Sequence, residues 1–575
     1  MGKFLLGVLV GGIITVLVLV VCVLAFGKLF SPKQPTVAAQ SALVLSLTGD
    51  IPEAAPVAID IPFLQNQETP TIRDIWTSLK EAATDSRIKA LVLQPRNLLI
   101  GWGRLEELRQ DVAEFKKSGK PVYAFLQAPG SHEYYLASVA DKIFLSPGDM
   151  LDVKGFQVEE MYFKGTLDKL GIGVQVDHIG RFKDYGDMFT KTSMSPETRE
   201  VLNQVLDQIY GDFCATTGSG RHKSADEMKS LIDNNGPFLA EQAKGSGLVD
   251  VLGYEDEVYA DLKKKVGVSK LDKTPIQAYF RAAPGSGDRF ALLVGEGDIL
   301  RGDVNDSPGN GDTLSSGSFI KLVRQLRGDH NIKGVLLRID SPGGDAVASD
   351  EILHELKLLA GEKPLIISMS DVAASGGYYI SLTGNPVFSY PDTETGSIGV
   401  LYVRPNVHGL LDKIGVTEDS LSRGKLAGLD SLTEPLSDAA QQKLHDSIET
   451  TYHTFVTKAA TARKKTYDQI DALAQGRVWM GAQAVQNGLV DQLGGLDQAD
   501  ALLRQRAHLS ATGKTNLVLY PPRKSLLELL TNSSADSLTD AAATAKLKKV
   551  VPNMPSPAWL RGGIQELLPF NITVH

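Results

Sequence analysis

The sequence predicts an α/β protein made of two copies of one domain, and two observations lead to this prediction. The first is an internal repeat: Ile88–Leu93 matches Ile332–Leu337, and Leu167–Lys169 matches Leu411–Lys413, both at a shift of 244 residues. Because the register holds over such a length and the period far exceeds the ~20–50 residues of solenoid repeats, the repeat indicates a domain duplication. The second is an alternation of short apolar runs with amphipathic stretches, which is typical of parallel strands joined by crossover helices.

The elements are clearest in the second copy. Its predicted strands are Phe290–Val294, Gly334–Ile339, Leu365–Met369 and Val387–Ser389, and its predicted helices are Ser316–Arg327 and Ala346–Ala360. The predicted units are an N-terminal domain at 41–280, a linker rich in turn formers at 281–288, a C-terminal domain at 289–505, and an extension at 506–575 that matches neither copy.

Length, charge and cysteine content exclude several classes of protein. The chain has 575 residues and a formal net charge of −9, so it is too long for one ordinary core and lacks the positive field that binds nucleic acid. Only two cysteines occur, Cys22 and Cys214, which excludes a disulfide framework and a cysteine-based zinc site. The sequence predicts neither a cofactor nor a metal ion.

An apolar segment near the N-terminus predicts a transmembrane anchor. Phe4–Phe26 contains no charged residue and is long enough to span ~30 Å of hydrocarbon as a helix. The alternative is a cleaved signal peptide, whose apolar region is usually ~7–15 residues and ends at small residues. The greater length favours an uncleaved anchor, but the flanking Lys3 and Lys28 do not settle its orientation.

Two glycine-containing turns in the second copy predict a site for acyl transfer. A predicted strand continues through Ser341–Gly344 into a helical stretch, and such a turn exposes backbone N–H groups suited to an oxyanion. The next strand leads to Ser375–Gly377, where a serine at a strand-to-helix turn can project its hydroxyl into a cleft. From these residues alone, the alternative that Ser375 only caps a helix stays open.

The first copy lacks both turns. Its matching stretch, Arg96–Ile100, contains no glycine, and although Ser131 matches Ser375, His132 and Glu133 replace the two glycines that follow. We expect this bulky pair to obstruct a substrate carbonyl, so only the second copy is predicted to be competent.

A serine nucleophile needs a base, and the candidates are a histidine and a lysine. His132 lies in the copy without the glycine turn, and His178 and His408 are predicted to be surface or structural residues. A lysine in an apolar setting loses its proton more readily and can serve instead. The best candidate is Lys183, between the aromatic residues Phe182 and Tyr185; the alternative is an ordinary exposed lysine.

Four motifs together resemble the signal peptide peptidase A family. They are Asp340–Gly344, Ala373–Tyr378, Thr395–Gly399, and Arg181–Lys183 ahead of Met194–Pro196. The chain is most similar to the long, duplicated, membrane-anchored bacterial form, from the anchor to about residue 505. This resemblance implies a ClpP/crotonase-like fold for each copy and a serine endopeptidase with a Ser/Lys dyad.

The resemblance also implies roles for individual residues. Ser375 from the second copy is the nucleophile, Lys183 from the first copy is the general base, and Ser397 orients the lysine ammonium. The backbone N–H groups of Gly376 and Gly344 form the oxyanion hole.

Two further points follow from the same motifs. Gly343 is the alternative to Gly344 as the second oxyanion donor. In the second copy, the position that matches Lys183 is about Ala427, which agrees with one dyad per chain.

The family implies partners and a location as well. The substrates are cleaved signal peptides and other small hydrophobic peptides, and the expected assembly is a homotetramer enclosing a chamber. The expected location is the bacterial inner membrane, crossed once, with the catalytic domains outside the cytoplasm.

Two other functions compete with the peptidase. A crotonase-type acyl-CoA enzyme shares the scaffold and the glycine turns, but it needs a carboxylate acid/base and gains nothing from Ser375. A catalytically silent membrane scaffold would use the duplicated domain for assembly alone.

Overall fold

The computed structural model describes residues 36–54, 69–303, 313–522 and 564–567. The predicted anchor at 4–26 and most of the predicted extension lie outside these residues. Within the described ranges, none of the helices combines the length and apolarity needed to cross a membrane.

The first half is built on a parallel sheet with the strand order β8-β4-β3-β2-β1-β9. The strands of this half are β1 (Ser41–Gly49), β2 (Ile88–Leu98), β3 (Val122–Leu126), β4 (Lys142–Leu145), β5 (Met150–Leu151), β6 (Gly173–Ile179), β7 (Phe238–Leu239), β8 (Val251–Leu252) and β9 (Asp272–Pro275). The helices are α1 (Ile72–Thr84), α2 (Trp102–Lys116), α3 (Ser131–Ala137), α4 (Lys164–Leu170), α5 (Asp187–Thr190), α6 (Pro196–Gly220), α7 (Ala225–Asn235), α8 (Ala240–Gly245), α9 (Glu255–Val266) and α10 (Ile276–Ala282).

The second half repeats this plan with the strand order β19-β17-β15-β13-β10-β21. Its strands are β10 (Asp288–Glu296), β11 (Asp298–Leu300), β12 (Thr313–Ser315), β13 (Val335–Ser341), β14 (Gly343–Asp345), β15 (Leu365–Ala374), β16 (Val387–Ser389), β17 (Glu394–Gly396), β18 (Val400–Asn406), β19 (Val478–Met480), β20 (Gln492–Leu493), β21 (Thr515–Tyr520) and β22 (Ile564–Leu567). Its helices are α11 (Ser316–Gly328), α12 (Ala346–Glu362), α13 (Gly376–Ile380), α14 (His408–Ile414), α15 (Asp438–Arg463), α16 (Tyr467–Asp471), α17 (Gly481–Asn487) and α18 (Leu496–Arg506).

The four strands and two helices predicted for the second copy are confirmed, with ends shifted by a few residues. Strand β21 lies beyond the predicted boundary at 505, and it pairs in parallel with β10 at the edge of the second sheet. In the first half β9 pairs with β1 in the same way. Leu517 and Leu519 of β21 are buried in the core, so the second sheet extends to Tyr520.

The two halves share a third, mixed sheet. Strand β6 of the first half runs antiparallel to β18 of the second over seven residue pairs, from Val400 opposite Ile179 to Asn406 opposite Gly173. On its other side β18 pairs with β22, which also pairs with β14. A segment near the C-terminus therefore bridges two strands of the second half.

Buried polar contacts also join the halves. Arg338 on β13 is fully buried and forms ion pairs with Glu53 at 2.7 Å and Glu107 at 2.9 Å, both from the first half. Asp371 on β15 accepts hydrogen bonds from the backbone N–H groups of Gly101 and Arg104, at the start of α2. Removing one member of a buried ion pair is costly because the other charge stays in the interior. Separation of the two halves would leave Arg338 without these partners, so the contacts stabilise the interface between the halves.

Candidate active site

Ser375 lies in a strained turn at the end of strand β15. Its φ is +52° and its ψ is −115°, a conformation that costs a non-glycine residue of the order of 1–3 kcal/mol. Its N–H donates to the carbonyl of Gly396, and its carbonyl accepts from Tyr379 in α13. The backbone on both sides therefore holds the strained turn, as in a nucleophile elbow.

Ser397 is placed beside Ser375 by the pairing of strands β15 and β17. Ala374, the last residue of β15, lies opposite Gly396, the last residue of β17. Each serine follows directly, so their side chains emerge at the same end of the sheet. Ser397 also has a positive φ, +49°, and both serines are fully buried.

Lys183 reaches this point through the ladder between the two halves. Ile179, the last residue of β6, pairs with Val400, the first residue of β18. The chain then turns through Gly180, whose φ is +117°, and arrives at Lys183 close to the segment that precedes β18. The antiparallel register thus brings a first-half lysine to Ser397.

The structure brings the three predicted side chains together. Lys183 Nζ lies 2.8 Å from Ser375 Oγ, 3.0 Å from Ser397 Oγ and 3.1 Å from the Ser397 carbonyl oxygen. The lysine is fully buried, so the alternative of an ordinary exposed lysine is excluded. An amine in these contacts can exchange a proton with the Ser375 hydroxyl.

The two predicted oxyanion glycines also lie side by side. A Cβ built on Gly376 would lie 3.1 Å from Gly344 N, and one built on Gly344 would lie 2.2 Å from the Ile299 carbonyl oxygen. No larger residue fits at Gly344 without moving the backbone, and at Gly376 an added Cβ would also lie 2.7 Å from Ser349 Oγ. The N–H of Gly343 donates to Ser341 Oγ at 3.2 Å, an observation that favours Gly344 over Gly343 as the second donor.

Strand β22 lies beside these glycines. It runs antiparallel to β14, with Leu567 opposite Gly343 and Gln565 opposite Asp345. Its other edge pairs with β18. The slot between β14 and β18 therefore accepts an extended backbone next to the Ser375 turn.

The histidines considered as bases lie elsewhere. His132 stacks on Trp102 in the first half, with ring centroids 4.6 Å apart. His178 and His408 are exposed, as predicted. These positions leave Lys183 as the amine in contact with Ser375.

In the first half, the matching turn is filled by a carboxylate. Glu133 is buried, and its two oxygens accept hydrogen bonds from Leu98 N at 2.6 Å and from Gly130 N at 2.8 Å. Leu98 belongs to the stretch that matches the glycine turn before α12, and Gly130 precedes Ser131. The expected obstruction is thus a carboxyl group that accepts hydrogen bonds from the backbone donors.

Sequence reasoning missed one of the two glycines that pack against Lys183 from the second half. A Cβ built on Gly476 would lie 2.6 Å from Lys183 Cβ, and one built on Gly399 would lie 3.1 Å from Lys183 Cδ. Gly399 stands in the Thr395–Gly399 motif, but Gly476 stands in none of the motifs. Only the pairing across the two halves reveals its role.

One group of carboxylates in the described part of the chain could hold a metal ion. Glu106, Asp212 and Asp392 each place an oxygen within 4.8 Å of the others. Burial raises the pKa of Asp392 to about 8 and, with Asp392 close by, raises the pKa of Glu106 well above its usual range. Protonation can therefore relieve the repulsion here without a cation. The three residues come from distant segments, and no motif links them.

Comparisons with known proteins decide the family. A model of peptidase family S49 matches residues 114–269 and 357–510, more than half of the chain. The chain belongs to peptidase family S49. It is a serine peptidase, and the two matched ranges fall one in each copy, in agreement with the duplication.

Two named proteases match most of this chain. The chloroplast serine protease SPPA of Arabidopsis thaliana is 35% identical over 88% of this chain and 75% of its own. Protease 4 of Salmonella typhi is 34% identical over 84% of this chain and 78% of its own. Among solved structures, a ClpP1 mutant from Listeria monocytogenes covers 36% of this chain and 94% of its own at 13% identity and a TM-score of 0.22, a score that carries no argument about the fold.

Proposed function

We propose that this S49 peptidase cleaves peptides with Ser375 as nucleophile and Lys183 as general base. The observation that carries the proposal is the buried contact of 2.8 Å between Lys183 Nζ and Ser375 Oγ. Burial disfavours the charged form of an amine, and a neutral amine at hydrogen-bonding distance can take the hydroxyl proton.

The proposed cycle is acyl transfer in two halves. Lys183 takes the Ser375 proton as Oγ attacks the peptide carbonyl, and the N–H groups of Gly376 and Gly344 donate to the oxyanion that forms. The lysine then gives the proton to the leaving amine, and the acyl-enzyme remains on Ser375. Water repeats the sequence with the same base and releases the acid. Ser397 orients the lysine throughout, because its Oγ and its carbonyl both accept from Nζ.

The slot between β14 and β18 supports a peptide substrate bound as an extended strand. The backbone of 564–567 pairs with β14 on one side and β18 on the other, and strand addition to a sheet edge binds a peptide largely through its main chain. A substrate that takes the place of residues 564–567 in this slot would bring a carbonyl to Ser375 and Gly344. The crotonase-type alternative has no use for such a slot.

We further propose that the substrates include cleaved signal peptides and other small hydrophobic peptides. A relative from Enterococcus faecium, 36% identical over 34% of this chain and 57% of its own, is named as a signal peptide peptidase. The motifs Ala373–Tyr378 and Thr395–Gly399 support the same substrate class by resemblance.

The location and assembly complete the proposal. The apolar run Phe4–Phe26 supports a single-pass anchor in a bacterial inner membrane, with the catalytic halves outside the cytoplasm. The parallel sheets with crossover helices support a ClpP/crotonase-like fold in each half. Exposed apolar side chains on and after α14, Ile414 and Leu421 among them, support self-association. The number of four subunits rests on the family resemblance, and light scattering on the detergent-solubilised chain would measure it.

The decisive experiment compares Ser375→Ala with Ser131→Ala in the full-length protein. Hydrolysis of a quenched-fluorescence apolar peptide should fall by about 10⁴-fold or more in the first variant and stay within twofold of the parent in the second. Equal peptide hydrolysis in Ser375→Ala and the parent would contradict the proposal. If the parent protein turns over an acyl-CoA thioester but hydrolyses no peptide, the crotonase-type enzyme is favoured. If the parent protein is inactive toward both substrates, the scaffold is favoured.

A further inference from the structure

We propose that the segment Gln475–Arg477 of the second half is a positioning element for Lys183. The inference rests on the proposed function, because it assigns this segment the task of holding the base against Ser375. It adds residues that lie in none of the sequence motifs.

Backbone hydrogen bonds connect the segment to both sides of the site. The Gln475 carbonyl accepts from the N–H of Phe182 at 2.7 Å, next to Lys183. The N–H of Gly476 donates to Ile398 O at 2.8 Å, and the carbonyl of Arg477 accepts from the N–H of Ser397 at 2.8 Å. Three consecutive residues thus link the lysine turn of one half to the Ser397 turn of the other. Their spacing fixes how far Nζ lies from Ser397 and Ser375.

Gly476 is the point of closest approach. Its φ is +77°, and an added Cβ would lie 2.6 Å from Lys183 Cβ and N and 2.7 Å from Lys183 Cα. Real Cβ contacts are not that short, and the neighbouring atoms are two backbone atoms and a Cβ, none of which moves when a side chain changes its rotamer. A methyl group at residue 476 must therefore push Lys183 outward or displace the segment.

The Arg477 side chain closes the same contact from outside. Its guanidinium lies 4.7 Å from the centre of the Phe182 ring and donates to Glu200 at 2.8 Å and Gln204 at 2.6 Å, both on α6 of the first half. The side chain is largely buried. The Arg477 guanidinium therefore packs against Phe182, the residue before Lys183, and at the same time hydrogen-bonds to helix α6 of the first half.

Displacement of a base affects the chemical step more than substrate binding. Proton transfer requires heavy atoms about 2.6–3.2 Å apart, and a shift of about 1 Å can cost 10²-fold in rate. Peptide pairing with β14 and β18 does not involve the segment. A positioning role therefore predicts lower kcat at unchanged KM.

The test compares Gly476→Ala with Gly384→Ala in the full-length protein. Gly384 lies in the same half with a φ of +84°, and an added Cβ there meets no atom within 4 Å, so it carries the same backbone strain without the clash. We expect kcat to fall about 10- to 100-fold in Gly476→Ala with KM within twofold, and both constants to stay near the parent in Gly384→Ala. Equal kcat in the two variants would overturn the inference.

A second pair of variants covers the case in which Gly476→Ala does not fold. Arg477→Ala should lower kcat about tenfold, and Arg477→Lys should restore part of it. Lys80→Ala, which removes another ion pair between the halves, with Asp497 at 2.8 Å, should leave kcat unchanged. A rise in KM alone, or the same loss in Lys80→Ala, would point to general loosening and refute a positioning role. If Ser375→Ala is also fully active, the proposed function itself fails; if Ser375→Ala is inactive and Arg477→Ala normal, only this inference does.

Discussion

Ser375 and Ser131 occupy matching positions in the two halves, yet their backbones differ. Ser375 follows β15 directly and holds a φ of +52°. Ser131 is the first residue of helix α3, preceded by Gly130 with a φ of −94°. The strained conformation exists only where the serine is in contact with an amine. Strain of this kind persists where surrounding contacts enforce it, and in the second half Gly396 and Tyr379 supply them.

The backbone N–H groups beside the two serines also differ between the halves. In the first half, Glu133 occupies the N–H groups of Leu98 and Gly130. In the second half, the matching residue is Gly377, where an added Cβ would lie 2.4 Å from the Ser341 carbonyl oxygen. One copy has satisfied its donors internally, and the other has kept glycines beside the serine. The two copies thus differ in whether a side chain of the same copy occupies the backbone N–H groups beside the serine.

The largest effect on activity is expected when the amine that the first half contributes is removed. Lys183→Met keeps much of the side-chain volume and abolishes the base, so kcat on an apolar peptide should fall by about 10³-fold or more. Lys191→Met, at an exposed first-half lysine paired with Asp187, is the matched control and should retain parental kcat. Full activity in Lys183→Met would show that the first half supplies no catalytic group.

A smaller effect is expected at Ser397. Ser397→Ala removes the hydroxyl at 3.0 Å from Lys183 Nζ and leaves the carbonyl at 3.1 Å. One of the two acceptors survives, so we expect kcat to fall about 10- to 100-fold with little change in KM. Steady-state kinetics beside Ser420→Ala, an exposed serine, measure the effect. A kcat equal to that of the control would remove Ser397 from the orienting role.

The elements and site residues that could be predicted from the sequence are those that depend on residues close together in the chain. The strands and helices of the second copy follow from apolar periodicity, and Ser375, Ser397 and Lys183 stand in contiguous motifs. The pairing of β6 with β18 has no such signal, because it joins residues more than 200 positions apart. The role of Gly476 depends on that pairing and was therefore out of reach.

The function of Glu133 was predicted only in part. Its bulk indicated an obstructed site, but the hydrogen bonds to Leu98 and Gly130 depend on how two loops meet. The segment of strand β21 is likewise predicted as part of the extension, because the repeat fades there although Leu517–Leu519 form a short apolar run typical of a buried strand.

A change at Glu133 should affect stability and leave catalysis intact. Glu133→Ala removes the acceptor of two backbone N–H groups, and unpaired buried donors cost about 1–3 kcal/mol each. We expect a loss of about 2–3 kcal/mol in unfolding free energy, a smaller loss in Glu133→Gln, and parental kcat in the folded fraction. Thermal and urea unfolding followed by circular dichroism measure this. Unchanged stability in Glu133→Ala would mean that the carboxylate does not satisfy these donors.

Glu133→Gly extends the comparison, because it restores the glycine of the second copy. Made together with Ser375→Ala, it should yield no peptidase activity. Ser131 would still lack an amine, since Ala427 stands at about the position that matches Lys183. Any hydrolysis by this double variant would contradict the view that the dyad is what distinguishes the copies.

An effect confined to the pH dependence of stability is expected where carboxylates of the two halves lie close together. The folded-state pKa of Asp392 is about 8, chiefly through burial and then through Asp212, whereas an unfolded aspartate titrates near 3.9. Between these values the folded protein binds a proton that the unfolded chain has released, so unfolding free energy falls as pH rises toward about 8. Asp392→Asn cannot ionise and should reduce the loss between about pH 6 and about pH 8.5 by about 2–3 kcal/mol, since each pH unit of the window corresponds to about 1.4 kcal/mol. Glu106 still titrates in the variant, so the dependence should weaken and not vanish.

Melting temperatures of the parent and Asp392→Asn at the two pH values measure the difference, with the exposed Asp446→Asn as control. An identical pH dependence in Asp392→Asn and the parent would mean that Asp392 is already ionised in the folded protein.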